Sequence, residues 1–251
     1  MEDFVWADPP QRMAFPVAKA GYPLICGAAF ATLILALLGL TALALIGLAA
    51  AFAVAGFFRD PDRVIPNRPG QVVSPADGRV IAAEVVSGGP FFEEPVRKIS
   101  IFMSVFNVHV NRVPAEGRVY RIRYRPGQFV AADRGDAPMR NEHNAVFVET
   151  SYGKRLCFVQ VAGLIARRII CHLQPDDTVR RGQRFGMICF GSRLDVYLPQ
   201  DVNLEVSVGD KVMAGSTVVG SFPGLSVNSQ PTAYTDNRAG GGPAVKEQAD
   251  D

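Results

Sequence analysis

Residues 185–199 have the sequence FGMICFGSRLDVYLP, in which Gly191 and Ser192 separate two apolar runs typical of β-strands. This pair places a small nucleophile beside the least hindered backbone carbonyl that a chain can offer. Glycine also tolerates the strained dihedral angles that a hydroxyl needs in order to approach the preceding peptide. By itself, a Gly-Ser pair is equally typical of an ordinary turn. The rest of the sequence therefore has to show which interpretation holds.

The sequence around this stretch is rich in short apolar runs. From residue 71 onward such runs alternate with turns, among them 74–78 (SPADG) and 209–215 (GDKVMAG). Frequent short strands without long helical periodicity predict a mainly β domain, sandwich or barrel-like, over residues 59–222. Residues 223–251 are rich in Gly, Pro, Asn and charged residues, so we predict a disordered tail.

Residues 24–58 contain no charged side chain and follow an N-terminal segment, residues 1–23. As one helix the stretch would be roughly 50 Å long against about 30 Å of hydrocarbon, so two short helices that turn near Gly39 fit better. Positive residues flank both ends, which predicts an α-helical membrane hairpin with the following domain on the cytoplasmic side of the cell membrane. A buried core hairpin in a soluble protein is the alternative. The flanking residues are Arg12, Lys19, Arg59, Arg63 and Arg68.

The overall composition argues against several classes of protein. The chain has 251 residues and a net charge of +2, which is too small to predict nucleic-acid binding. Its four cysteines show no Cys-x-x-Cys spacing, so neither a disulfide framework nor a metal site is predicted, and a reducing compartment fits best. The cysteines are Cys26, Cys157, Cys171 and Cys189.

Three further segments complete a recognisable set together with 185–199. They are 57–61 (FFRDP), 74–78 (SPADG) and 103–114 (MSVFNVHVNRVP). In this order and spacing, the set resembles the phosphatidylserine decarboxylases, in particular their short bacterial form. The resemblance runs from about residue 21 to residue 222.

The resemblance implies that the protein makes its own cofactor. The chain would cleave itself between Gly191 and Ser192, leaving a large chain, 1–191, and a small chain, 192–251, whose Ser192 has become a pyruvoyl group. Asp77 and His109 stand where the family has its catalytic aspartate and histidine. A base must take the proton of Ser192, which His109 can do near neutral pH, and Asp77 would orient the imidazole.

The resemblance also implies the reaction and the partners. The pyruvoyl ketone would condense with the amine of phosphatidylserine and accept electrons as carbon dioxide leaves, which yields phosphatidylethanolamine. The substrate lies in the lipid bilayer, so we expect Arg59 and Arg63 near headgroup phosphates. Self-cleavage is expected to need only the β domain.

Two positions depart from the longer members of the family. Arg112 stands where they carry a second histidine, and Arg193 stands where they carry a threonine. His109 would therefore have to serve both self-cleavage and decarboxylation. We group Arg112 with Arg59 and Arg63 as residues close to substrate and membrane.

Other interpretations of these residues stay open at this stage. Asp77 precedes a glycine and could be a turn residue, and His109 lies among valines as a core histidine would. The alternating arginines of 118–125 suit a solvated strand face or one that faces anionic lipid. The competing functions are a membrane-anchored carrier with a lipoyl- or biotinyl-like barrel, for which Lys98 and Lys211 fit poorly, and a transporter accessory subunit.

Overall fold

The computed structural model describes residues 4–5, 16–87, 91–132, 137–164, 168–189 and 191–225. The helices are α1 (Tyr22–Leu37), α2 (Thr41–Phe57) and the short α3 (Ala137–Arg140), and a 3₁₀ turn at Lys19–Gly21 precedes α1. The strands are β1 (Phe4–Val5), β2 (Ile65–Pro66), β3 (Gln71–Val73), β4 (Gly78–Val86), β5 (Val96–Met103), β6 (Val110–Arg112), β7 (Gly117–Arg125), β8 (His143–Glu149), β9 (Arg155–Val161), β10 (Ile169–Cys171), β11 (Thr178–Val179), β12 (Arg184–Ile188), β13 (Ser192–Pro199), β14 (Asn203–Leu204), β15 (Lys211–Val212) and β16 (Val218–Ser221). The tail predicted to be disordered lies outside the described residues from residue 226 onward.

The fold is mainly β with an N-terminal helical hairpin, which confirms the predicted class. Helices α1 and α2 fold back on each other around Gly39, where the sequence predicted the turn. Their apolar side chains are exposed, from Leu37 at 74% to Ile34 at 40%. By length and composition the stretch Lys19–Leu37 can cross a membrane, whereas Thr41–Phe57 is shorter. The helical hairpin is therefore confirmed.

The β domain is built on one large antiparallel sheet with the order β11-β7-β8-β9-β13-β5-β4-β15. Two three-stranded sheets, β10-β12-β6 and β14-β16-β3, pack against one face of it. Between these layers lies the main core, to which β13 contributes Leu194, Val196 and Leu198. The alternate residues of β13 point to the opposite face, where Tyr197 packs in a second cluster.

Three neighbouring connections join the large sheet to the sheet β10-β12-β6. In the large sheet β9, β13 and β5 are adjacent in this order, and in the small sheet β10, β12 and β6 are adjacent in the same order. The chain crosses from β9 to β10, from β12 to β13 and from β5 to β6. The crossing from Ile188 to Ser192 therefore runs between the other two.

The base of the hairpin is bonded to the β domain. Within the base, the amide of Ala18 donates to the carbonyl of Phe58 at 2.8 Å. The carboxylate of Asp60, which follows α2, accepts from Arg184 of β12 at 2.8 Å and so joins the base to the β domain. Arg112 is 3% exposed, lies 3.6 Å from Asp60 and donates to the carbonyl of Gly182 at 2.9 Å. Arg112, which the sequence analysis grouped with residues close to substrate and membrane, is thus a buried link between β6 and the segment that leaves α2.

We expect Arg112→Ala to lower the free energy of unfolding by about 3 kcal/mol, because it removes one of the two cations beside the buried carboxylate of Asp60 and the hydrogen bond to the carbonyl of Gly182. Arg118→Ala is the matched control, since the pair of Arg118 with Asp176 is exposed and contributes at most about 1 kcal/mol. Chemical denaturation in detergent micelles measures both variants. Equal losses would show that the buried ion pair does not hold the base of the hairpin.

Candidate active site

Gly191 and Ser192 occupy the central crossing. Gly191 has φ +56°, in the left-handed region that favours glycine, and Ser192 is fully buried as the first residue of β13. Ser192 lies opposite Met103 in the ladder, and its hydroxyl donates to the Met103 sulfur at 3.5 Å. A thioether is a weak acceptor, so little free energy opposes transfer of this hydroxyl to a better partner. The local structure therefore suits a serine that has to react.

His109 lies in the adjacent crossing, directly before β6, and is fully buried. Its Nδ1 is 2.9 Å from the carbonyl oxygen of Asn107, which can only accept, so Nδ1 carries the proton. Its Nε2 has no hydrogen-bond partner in the described part of the chain. Burial, with a smaller contribution from the nearby charge of Arg59, lowers the pKa of His109 to about 4 against the opposing effect of the hydrogen bond to Asn107. At neutral pH the imidazole is uncharged and offers a free lone pair on Nε2.

The last turn of α2 packs directly on this histidine. The ring of Phe57 lies 4.2 Å from that of His109, centroid to centroid. Arg59 donates to the carbonyls of Gly56 at 2.8 Å and of Phe106 at 2.6 Å, which fastens the end of α2 to the loop that carries His109. A protein that lacks residues 1–58 would lose Phe57. The sequence analysis expected self-cleavage to need only the β domain, but the surroundings of His109 include this residue of α2.

Asp77 lies at the same end of the large sheet but does not orient His109. Its carboxylate accepts from the backbone amide of Ala214 at 2.7 Å and from Arg63 at 2.8 Å. Burial raises its pKa, against the opposing effect of Arg63. Among the described residues, the carbonyl of Asn107 takes the place beside Nδ1 that we expected for Asp77. A backbone carbonyl can hold the tautomer of an imidazole as a carboxylate does, which explains why the expected contact is not needed.

Arg59 and Arg63, the other two arginines expected near substrate, lie at the base of the hairpin. Arg59 bridges α2 and the His109 loop, and Arg63 pairs with Asp77 and also lies 3.4 Å from the sulfur of Met213. Both are partly buried. They surround the end of the sheet where β4 and β13 begin and β5 ends.

The sequence matches the profile described as phosphatidylserine decarboxylase over residues 50–220. The protein is 51% identical to the phosphatidylserine decarboxylase proenzyme of Desulfotalea psychrophila, in an alignment that covers 82% of this chain and 97% of that protein. It is 50% identical to the proenzyme of the same name from Geotalea uraniireducens, with 83% and 97% covered. The chain belongs to the phosphatidylserine decarboxylase family. The sequence-based assignment is confirmed, and the protein is an enzyme of this family.

The family's Gly-Ser pair is followed here by Arg193, for which the structure gives a physical account. Arg193 is 3% exposed and lies on the face of β13 opposite to Ser192. It pairs with Asp195 and donates to the hydroxyl of Ser100 at 2.8 Å. The arginine thus anchors the start of β13 within the sheet, away from the reacting atoms.

A buried row of amides beside the candidate site was not recognised in the sequence. Asn111 donates to the sulfur of Met103 at 3.7 Å, Gln160 donates to Asn111 at 2.9 Å, and Asn144 donates to Gln160 at 3.2 Å. The row ends at the sulfur that also accepts from Ser192. Polar residues inside predicted apolar strands were the only sequence signal for it.

His143 is a second buried histidine. It is 3% exposed at the start of β8, and its Nδ1 lies 2.9 Å from the carbonyl of Asn141. Lys211, one of the two lysines considered for a carrier protein, lies opposite Arg79 in the ladder of β15 with β4.

We expect His109 to make the uncleaved precursor less stable as the pH falls from 7 to 5. The folded histidine has a pKa of about 4 and stays neutral, whereas the unfolded one, near 6.5, takes up a proton. The unfolded state then binds more protons than the folded state. The free energy of unfolding is therefore unaffected by His109 above pH 6.5 and falls towards pH 4, with a loss of roughly 2 kcal/mol at pH 5.

The measurement is chemical denaturation of Ser192→Ala protein, which keeps the chain intact, at several pH values. His109→Gln in that background should flatten the dependence, whereas His172→Gln, which changes an exposed histidine, should leave it unchanged. If the slope survives in His109→Gln, another group is responsible for it.

Proposed function

We propose that this protein converts phosphatidylserine to phosphatidylethanolamine with a pyruvoyl group that it makes from its own Ser192. The observation that carries the proposal is the pair of adjacent crossings, one with Gly191 and Ser192 and one with the neutral, unpartnered Nε2 of His109. The relatives are named as proenzymes, which agrees with a chain that is made as a precursor.

In the first step Ser192 reacts with the carbonyl carbon of the preceding residue. His109 takes the hydroxyl proton on Nε2 as the oxygen forms a bond to the carbonyl carbon of Gly191. The bond from that carbon to the nitrogen of Ser192 then breaks, and the nitrogen takes up a proton. The product is an ester between Gly191 and the side chain of Ser192. Gly191 has no side chain that would obstruct the attack, and its positive φ is a backbone conformation that favours glycine.

In the second step the ester is eliminated. A base removes the α-proton of Ser192, the bond from its β-carbon to oxygen breaks, and Gly191 leaves as a carboxylate. The remaining dehydroalanine takes up water and releases ammonia, which leaves a ketone at the start of the small chain. The fit of Ser192 to this role rests on its burial and on the weak acceptor that holds its hydroxyl.

The pyruvoyl group supplies an electron sink for the carbon that loses carbon dioxide. The residues of the chain supply the surroundings. His109, held by Asn107 and Phe57, is positioned to deliver a proton at the reacting carbon, and burial keeps water away from it. Asp77 holds Arg63 at the same end of the sheet, where a phosphate would meet a cation.

The membrane is the second part of the proposal. The hairpin exposes apolar side chains along both helices, and its two ends lie together at the base, next to the site. We place the hairpin in the cell membrane, with the β domain on the cytoplasmic side, because positive residues flank both of its ends. Arg59 and Arg63 then lie at the level of the headgroups.

The loop before His109 supports this orientation. Asn107 accepts from the amide of Ser104 at 2.9 Å and from its hydroxyl at 2.8 Å, which closes a tight turn with Val105 and Phe106 at its tip. Phe106 is 83% exposed, and its carbonyl is bonded to Arg59 at the end of α2. An exposed aromatic ring at the base of an apolar hairpin is well placed to enter the interface of a bilayer.

We expect the wild-type protein to separate into chains 1–191 and 192–251, the smaller one lighter by one ammonia than a chain that begins with serine. Ser192→Ala should stay full length and inactive, because no hydroxyl can attack Gly191. Intact-mass analysis and a denaturing gel measure both properties.

Two further variants sharpen this experiment. His109→Gln should also stay largely uncut, whereas Ser207→Ala, which changes an exposed serine in a turn, should process as the wild type does. Cleavage of Ser192→Ala at the same bond would mean that another protease is responsible, and the proposal would fail.

We expect Phe106→Ser to lower turnover of phosphatidylserine in vesicles by roughly tenfold, because a buried phenyl ring contributes about 1.5–3 kcal/mol of contact with lipid. Turnover of a short-chain, water-soluble phosphatidylserine should fall much less. Val85→Ser is the matched control, since Val85 is 48% exposed at the opposite end of β4. Equal losses on both substrates would show that Phe106 acts on the site and not on the membrane.

A further inference from the structure

The carbonyl of Gly191 rests against the backbone of the third crossing. A β-carbon built on Gly163 would lie 1.9 Å from the carbonyl oxygen of Gly191 and 3.0 Å from its carbon. It would also lie 3.2 Å from the β-carbon of Ala132. The neighbour is backbone and not the end of a flexible side chain, so it cannot move aside without moving the bond that is to be cut. Only glycine permits this approach.

Gly163 is itself held in place by a buried side chain. Asn141, 1% exposed, donates to the carbonyl of Ala162 at 2.7 Å and to that of Val130 at 2.8 Å, and accepts from the amide of Val130 at 2.9 Å. The amide of Ala162 donates in turn to the carbonyl of Glu142 at 2.9 Å. The backbone at 162–163 is therefore a fixed wall beside the carbonyl of Gly191.

We infer that Gly163 is a positioning residue for self-cleavage, which holds the Gly191 carbonyl where the hydroxyl of Ser192 can attack it. This inference rests on the cleavage proposed above between Gly191 and Ser192. The backbone at 162–163 restricts movement of the Gly191 carbonyl on the side away from His109, since the central crossing runs between the crossings that carry Gly163 and His109. After cleavage the Gly191 carboxylate is no longer bonded to Ser192, so Gly163 is needed far less for decarboxylation.

The test measures the rate of cleavage of newly made protein in a cell-free synthesis reaction. Gly163→Ala should cleave roughly 100-fold more slowly than the wild type, which is the cost of moving reacting atoms by about an ångström. Asn141→Ser removes the hold on Ala162 without adding atoms beside Gly191, and it should slow cleavage about tenfold. Gly117→Ala is the matched control, because a β-carbon there would lie 2.2 Å from a backbone oxygen of the same sheet, that of Glu149, far from the cleavage site.

Two readouts separate positioning from a general loss of structure. Gly163→Ala and Gly117→Ala should lose similar amounts of thermal stability, while only Gly163→Ala loses cleavage rate. For the fraction of Gly163→Ala that does mature, decarboxylation per pyruvoyl group should fall much less than cleavage does. Cleavage of Gly163→Ala at the rate of Gly117→Ala would overturn this inference alone. A wild-type chain that never cuts between Gly191 and Ser192 would overturn the proposed function as well.

Discussion

The order of three strand crossings is the constraint on which the site depends. Strand β13 pairs over its whole length with β5, beginning at Ser192, and over five residues with β9, beginning at Arg193, so the start of the strand is fixed in the sheet. Strand β12 lies between β10 and β6 in the other sheet, which forces the crossing from Ile188 to Ser192 to run between its two neighbours. One neighbour brings His109 and the other brings Gly163. The proposed self-cleavage needs the peptide between Gly191 and Ser192 to be held in a fixed position, and the two sheets that flank this crossing can hold it.

The hairpin is coupled to this arrangement through its base. Phe57, the last residue of α2, stacks on His109, and Phe58 packs with Met187 of β12. The buried charges of Asp60 and Arg112 join the same region to β6. If the hairpin lies in the membrane as proposed, this connection would transmit its position to the histidine, because Phe57 of α2 itself contacts the ring of His109. The amine of a lipid headgroup would then meet the site at the depth that the hairpin sets.

Much of this structure could be predicted from local properties of the sequence. A charge-free stretch longer than one membrane span predicts two helices, and alternating apolar runs predict strands, because both depend on neighbouring residues alone. Gly191 and Ser192 stand out because the pair falls between two such runs.

The partners of the site residues could not be predicted in the same way. The motifs that contain Asp77 and His109 can be recognised in the sequence. Only the folded chain shows that the carboxylate of Asp77 binds Arg63 and the amide of Ala214, and not His109. Arg112 resembles a surface arginine until Asp60 and Gly182 enclose it. Gly163 carries no sequence signal, since the role proposed for it lies in an absent side chain facing a backbone oxygen 28 residues away.

Strands β13, β15 and β16 lie after the proposed cleavage site, and each pairs with a strand that lies before it. In the precursor these pairings close loops within one molecule, at an entropic cost that grows slowly with loop length. Once the chain is cut, re-forming them requires two molecules to meet, so recovery from unfolding depends on concentration. The mature protein would then persist through a slow rate of unfolding and not through reversible folding, and its fold would have to be acquired before the cut is made.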